Sequence, residues 1–182
     1  RRRGLLSKRP FSLRHRPQFS GRRRLDGLVE LTPIDRTATP VLIGANFRLE
    51  PLKVAEVNDR YVGWLNDPQI NQYLEVRFVR QTLVTVTEYV KSYNGDAERY
   101  MWGVYPDGED EYIGTATLSL ISHIHSSGGI GFMIGEKAYW GSGASQESLG
   151  LIADFAFNHL GLRRLFAETC GPNHGMNFTH NS

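Results

Sequence analysis

Residues 131–148 read Gly131-Phe-Met-Ile-Gly-Glu-Lys-Ala-Tyr-Trp-Gly-Ser-Gly-Ala-Ser-Gln-Glu-Ser148. The run begins as an apolar strand, passes through a tight glycine turn and opens an amphipathic helix. The first amides of a helix have no intrahelical acceptor, and the helix dipole adds partial positive charge at that end. A glycine turn placed there is a ready site for a phosphate-bearing anion. Spacing excludes two common versions of such a site. A dinucleotide-binding Gly-x-Gly-x-x-Gly would need glycine at Gln146, and a Walker A loop would need Gly-Lys-Ser/Thr where Ala144-Ser145 stands. A plain strand-to-helix turn without a ligand remains open on these residues alone.

Outward from this turn, the pattern predicts the order β α α β β β α β. Asn46–Leu52 alternates as a first strand. Val54, Val57, Tyr61, Trp64 and Leu65 fall on one face of a helix over 54–65, which Asp67-Pro68 stops. Residues 70–79 read as a short helix followed by a loop. A second helix is predicted over 82–93, with a capping signal from Thr85 to Glu88. The period then changes to two. Strands are predicted at Arg99–Tyr105, Tyr112–Ser122 and Ile130–Ile134, with a polar hairpin connection over 123–129. Ala144–Leu160 is the best helix, with Leu149, Ile152, Phe155, Ala156 and Leu160 on its apolar face. Gly161-Leu162 has the form of a Schellman stop, and Leu165–Thr169 is the last clear strand. Antiparallel strands feeding a strand–helix–strand crossover give an α/β layer with a mixed sheet.

The 182 residues suit one domain with a real core. No apolar stretch approaches the roughly 20 residues of a membrane span. A single cysteine, Cys170, excludes an internal disulfide framework and fits a reducing, cytoplasmic compartment. Charge divides the chain. Residues 1–24 hold ten basic and no acidic residues, leaving 21 − 10 = 11 basic against 19 acidic over 25–182. Residues 1–40 therefore read as a basic, disordered extension, and 41–182 as the folded domain. The extension has no apolar core of a secretory signal, and nucleic-acid binding by it is a lesser reading.

The segment from Ile130 to Ser148, with Ala153-Asp-Phe-Ala-Phe-Asn-His-Leu-Gly-Leu-Arg-Arg and Pro172-Asn173, resembles the GNAT-family N-acetyltransferases. Within them it is most similar to the branch typified by ribosomal-protein alanine N-acetyltransferases. The resemblance implies a GNAT fold, an α/β domain whose largely antiparallel sheet splays between flanking helices. It implies acetyl-CoA as co-substrate and no metal. The pyrophosphate would rest on Trp140, Gly141, Ser142, Gly143, Ala144 and Ser145. The pantetheine arm would add to the strand Phe132-Met133-Ile134, with an amide near Met133 or Ile134 polarising the thioester. Asn173 would contact the cofactor arm. The acceptor would be a primary amine on a protein N-terminus, an amino sugar or a small molecule. Gly129 and Met176 stand where relatives carry acid–base groups. Relatives also continue with a helix and two strands, so the resemblance implies a C-terminally incomplete domain. The catalytic base is unassigned, with Glu75 and His125 as candidates. A CoA-binding but inactive domain is the alternative.

Overall fold

A computed structural model describes residues 24–25, 28–29, 38–96 and 98–167. The chain divides into two units, 1–35 and 36–182. In the first, β1 (Arg24–Leu25) pairs antiparallel with β2 (Leu28–Val29). The predicted disorder of 1–40, Cys170 and Asn173 otherwise lie outside the described residues.

The second unit carries a six-stranded sheet in the order β3 (Leu42–Ile43), β4 (Phe47–Pro51), β5 (Tyr100–Pro106), β6 (Gly114–Ser122), β7 (Ser127–Ile134), β8 (Arg164–Phe166). All neighbours pair antiparallel except β7 and β8, which run parallel after a crossover through a helix. Strand alternation sorts the side chains into two cores. On one face Phe47, Leu49, Trp102, Val104 and Leu118 pack with Ile152, Phe155 and Ala156 of α4 (Ala144–Asn158). On the other, Met101, Tyr105 and Met133 meet Tyr61, Trp64 and Leu65 of α1 (Asp59–Asn66), together with Val86 and Val90. Each fully buried large apolar side chain contributes about 1.5–3 kcal/mol.

Several predicted boundaries change, each for a local reason. The helix expected over 54–65 is broken into a 3-10 turn, Val54–Glu56, and α1. Asn58 stays extended, and its side chain accepts from the Tyr61 amide at 3.1 Å, starting a new helix. Asp67 accepts from the Gln69 amide and starts α2 (Pro68–Asn71), with proline in the first turn. A 3-10 turn, Glu75–Phe78, follows. The next helix, α3 (Leu83–Lys91), is capped reciprocally by Thr82 and Thr85 instead of Thr85 and Glu88. The β6–β7 connection is shorter than 123–129, since Ser122 already pairs with Ser127.

The buried face of α4 keeps the expected Ile152, Phe155 and Ala156 but differs at the helix start. Its buried stripe is Ala144, Ser148, Ile152, Phe155 and Ala156, with Ser148 fully buried and Leu149 only half-buried. Small residues at the first turns let the helix start close to the sheet. Among the described residues the Ser148 hydroxyl has no hydrogen-bond partner. A buried unpaired hydroxyl costs free energy that a methyl group does not. Ser148→Ala is therefore expected to raise stability by about 1 kcal/mol. An unchanged urea midpoint would mean that this hydroxyl finds a partner in solution. At the other end, Gly161 takes φ +70° and the Leu162 amide bonds back to Ala156 O at 3.0 Å, which ends the helix as expected.

Candidate functional site

β7 and β8 are partners only over Ser127–Gly129, opposite Arg164–Phe166. Among the described residues β7 continues to Ile134 without β8, so its second half has no strand partner on that side. The register shows which backbone groups line that side. The Gly135 N–H donates to Ile113 O at 2.9 Å, outside the Gly114–Ile134 pair. That bond makes Gly114–Ile134 a non-hydrogen-bonded pair. By alternation Thr115–Met133 is hydrogen-bonded, and the backbone of Met133 is turned toward β6. The amides of Phe132 and Ile134 therefore turn the other way, to the open edge. The Ile134 carbonyl on that edge accepts the Trp140 indole N–H at 3.0 Å.

That indole joins the strand edge to the glycine turn. Gly141 and Gly143 have φ of +77° and +89°, a region that disfavours any side chain. Space around both Cα atoms is open. Gly143 is the N-cap residue of α4 and supplies no side-chain cap; the first helical bond is Glu147 N to Gly143 O at 3.0 Å. The amides of Ala144, Ser145 and Gln146 precede that bond, and of these Ala144 N–H reaches only Ser142 Oγ at 3.4 Å. The turn is thus shaped for an anion: positive φ, room at the backbone, and first-turn amides of which only Ala144 has a side-chain partner among the described residues, at a long 3.4 Å.

Glu147, in the first turn of α4, is a structural clamp. Its Oε1 accepts from the backbone amides of Asn46 and Phe47 at 2.8 and 3.2 Å, and its Oε2 from Asn46 Nδ2 at 3.0 Å. Partial burial pushes its pKa up, but these hydrogen bonds to the charged form outweigh burial and the net direction is down. A depressed carboxylate stabilises the fold above its ordinary value of 4.5, and that contribution fades as pH falls through the lower folded value. Glu147→Gln is expected to lower stability by about 1 kcal/mol at pH 7, since the site is partly exposed. The difference from the native chain should shrink on acidification, measured as urea midpoints from neutral to acid pH. A difference independent of pH would remove the charge from this account.

On the other face of β7, Trp64 packs edge-on against Tyr112 with ring centroids 5.6 Å apart, and Arg60 lies over Trp64 at 5.2 Å. Gly135, just past β7, has its Cα directly beneath the Trp64 indole. Lys137 then reaches from the strand's end to Asp67 Oδ2 at 2.6 Å and Gln69 Oε1 at 2.7 Å. The Lys137 hydrogen bond holds Asp67 below its usual range. Burial pushes Tyr61 up to about 12, although a hydrogen bond with Thr115 opposes it. Tyr61 is therefore a neutral core phenol at ordinary pH.

The structure places Phe132 and Ile134 on the β7 edge and joins Ile134 to Trp140 at the head of the turn over 141–145, while the Met133 backbone faces β6. Asn173 lies outside the described residues. Glu75 is exposed in the 3-10 turn after α2. His125 is exposed in the β6–β7 connection, where β8 is still paired; roughly 23 Å of strand separates Ser127 from Ile134. His125 is thus not brought to the open edge. Sequence reasoning missed Gly135 and Lys137, whose partners Trp64 and Asp67 lie some 70 positions earlier in the chain. Among the described residues no cluster of metal ligands occurs, and no helix is long and apolar enough to cross a membrane.

Comparison with known proteins agrees with this geometry. The Bacillus subtilis protein named Probable N-acetyltransferase YjcK is 33% identical over 91 residues, which cover 50% of this chain and 49% of that protein. The Bacillus licheniformis protein named Uncharacterized N-acetyltransferase p20 is 26% identical over 109 residues, 57% of this chain and 58% of that one. The chain thus matches about half the length of these curated relatives. Among solved structures, an acetyltransferase (GNAT family) from Bacillus anthracis superposes with a TM-score of 0.64 at 16% identity, covering 78% of this chain and 81% of that one. A spermidine N-acetyltransferase chimera from Vibrio cholerae and hSSAT gives 0.65 at 16% identity, covering 75% and 78%. Both show a shared fold. The family described as Acetyltransferase (GNAT) domain matches residues 46–177, so the parted strands and the glycine turn are those of a member, and this chain belongs to the GNAT acetyltransferase domain family.

Proposed function

We propose that this protein transfers an acetyl group from acetyl-CoA to a primary amine. The observation that carries the reading is the open β7 edge leading into an uncapped glycine turn. Edge amides accept an added strand, and the pantetheine arm with its two amide groups is such a strand. The helix N-terminus and the two positive-φ glycines suit the pyrophosphate. Ser142, Ala144 and Ser145 would complete that cradle. Trp140 and Phe132 would border the cofactor arm.

The register favours Ile134 over Met133 as the donor to the thioester carbonyl, because the Met133 amide belongs to the β6 ladder. An amide placed there stabilises charge that develops on the oxygen as the amine attacks, an effect of about 3 kcal/mol in comparable sites. The other contribution is positioning: attack becomes effectively unimolecular once the amine is held beside the carbonyl. The amine must reach the site neutral, since an ammonium with a pKa near ~10.4 has no lone pair to offer.

Incubation with acetyl-CoA and a panel of amines, followed by release of free CoA thiol, tests the reading. Amine-dependent release supports it. Thermal stabilisation by CoA with no turnover on any amine would instead make this a CoA-binding domain without activity.

A further inference from the structure

A cleft beside α1 carries charge opposite to the acidic balance of residues 25–182. This open cleft of about 850 Å³ lies between the end of α1 and the loop that follows α2. Pro68, Asn71, Arg77, Phe78, Val79 and Arg80 are among the residues that line it. Residues 25–182 carry 19 acidic against 11 basic residues, yet among the described residues the cleft lining holds two arginines and no carboxylate. Neither arginine is in an ion pair with another described residue. Arg77 is held in place. One Nη donates to Gln72 O at 2.9 Å, and the guanidinium lies 4.4 Å from the Phe78 ring centroid. Its remaining donors are available to a ligand. Phe78 and Val79 are 75% and 66% exposed, a large apolar area beside the two cations.

The cleft is tied to the reacting end of β7. Asn66 clamps the lining loop, donating to Gln81 O and accepting from Gln81 N, both at 2.9 Å. Asp67, between Asn66 and Pro68, is bound by Lys137, and Trp64 seats on Gly135. The cleft-lining Asn66 and Pro68 thus flank Asp67, whose partner Lys137 stands three positions after Ile134 in the chain.

From these residues we infer that the acceptor is a small amine that also bears an anionic group, a carboxylate or phosphate, with an apolar arm. Arg80 and Arg77 bind the anion, and Phe78 and Val79 cover the apolar part. The inference rests on the acetyl-transfer reading above. The acidic balance of residues 25–182 would by itself suit a cationic acceptor, but local lining, not net charge, meets the substrate.

The test compares kcat/KM for matched acceptors: phenylalanine against phenylalaninamide, and O-phosphoethanolamine against ethanolamine, with spermidine as the cationic arm. An anionic member is expected to exceed its neutral counterpart by roughly tenfold, and the pair that shows it identifies carboxylate or phosphate. In Arg80→Gln that ratio should fall about fivefold or more, and in Arg80→Glu it should invert. Intrinsic amine reactivity cancels when the same pair is compared between variants. Preference for the neutral members or for spermidine, or a ratio unmoved by both Arg80 variants, overturns the inference and leaves acetyl transfer standing. Acetylation of no amine takes both down. Arg77 is left intact because its bond to Gln72 also shapes the loop.

Discussion

Gly135→Ala is expected to cost about 3 kcal/mol of stability, a large part of what holds a domain of this size. A methyl group at this position would fall inside the Trp64 indole. The ring cannot move aside freely. It is packed against Tyr61 and Tyr112 and covered by Arg60, and it is nearly fully buried. The alternative is a shift of the backbone just past β7, which would drag the Ile134 edge. The variant should therefore also raise the KM for acetyl-CoA. Gly63→Ala is the control. That glycine lies exposed in α1, and an added methyl group would meet nothing within 4 Å, so alanine should add about 0.5–1 kcal/mol by helix propensity. Urea unfolding of the two variants should give midpoint shifts of opposite sign. A small shift for Gly135→Ala would mean that the Trp64 packing is looser than described.

Ser145→Asp is expected to separate binding from folding at the glycine turn. An aspartate in the first turn of α4 improves the helix by about 0.5 kcal/mol through the dipole. The same charge repels a pyrophosphate brought to those amides. The KM for acetyl-CoA should rise tenfold or more while the unfolding midpoint stays level or increases. Gly143→Ala provides the complementary case. Its φ of +89° costs an alanine about 1–2 kcal/mol, so stability and cofactor affinity should fall together. An unchanged KM in Ser145→Asp, measured with saturating acceptor, would place the phosphates elsewhere.

Local features were legible in the sequence wherever their cause is local. The strand from Ile130, the positive-φ turn at Gly141 and Gly143, and the long helix from Ala144 all follow from spacing over a few residues. Trp64, expected on the apolar face of its helix, is in the core and 6% exposed. What spacing could not reach depends on partners distant in the chain. Met133 and Ile134 were indistinguishable until the Gly135–Ile113 bond set the phase of the ladder. Glu147 owes its role to Asn46 and Phe47, about 100 positions away in the chain. The Leu149 stripe failed by one residue on α4, because burial follows closeness to the sheet more than hydropathy at the helix start. Arg77 and Arg80 gave no signal at all: two arginines in a loop acquire meaning only when the fold leaves them facing one cleft without a carboxylate.

An unpaired strand edge is a template for any extended chain, including another copy of the same protein. The Trp140 indole limits that hazard on β7. Between Gly129, still matched with Phe166, and the Ile134 carbonyl, already taken by Trp140, only five residues of β7 are left to pair. Five residues span roughly 16 Å, which bounds the length of any strand added there. The indole works as an end stop: it fixes how far an incoming chain can zip along β7, and so helps to keep an opening meant for a small cofactor from becoming a seam between molecules.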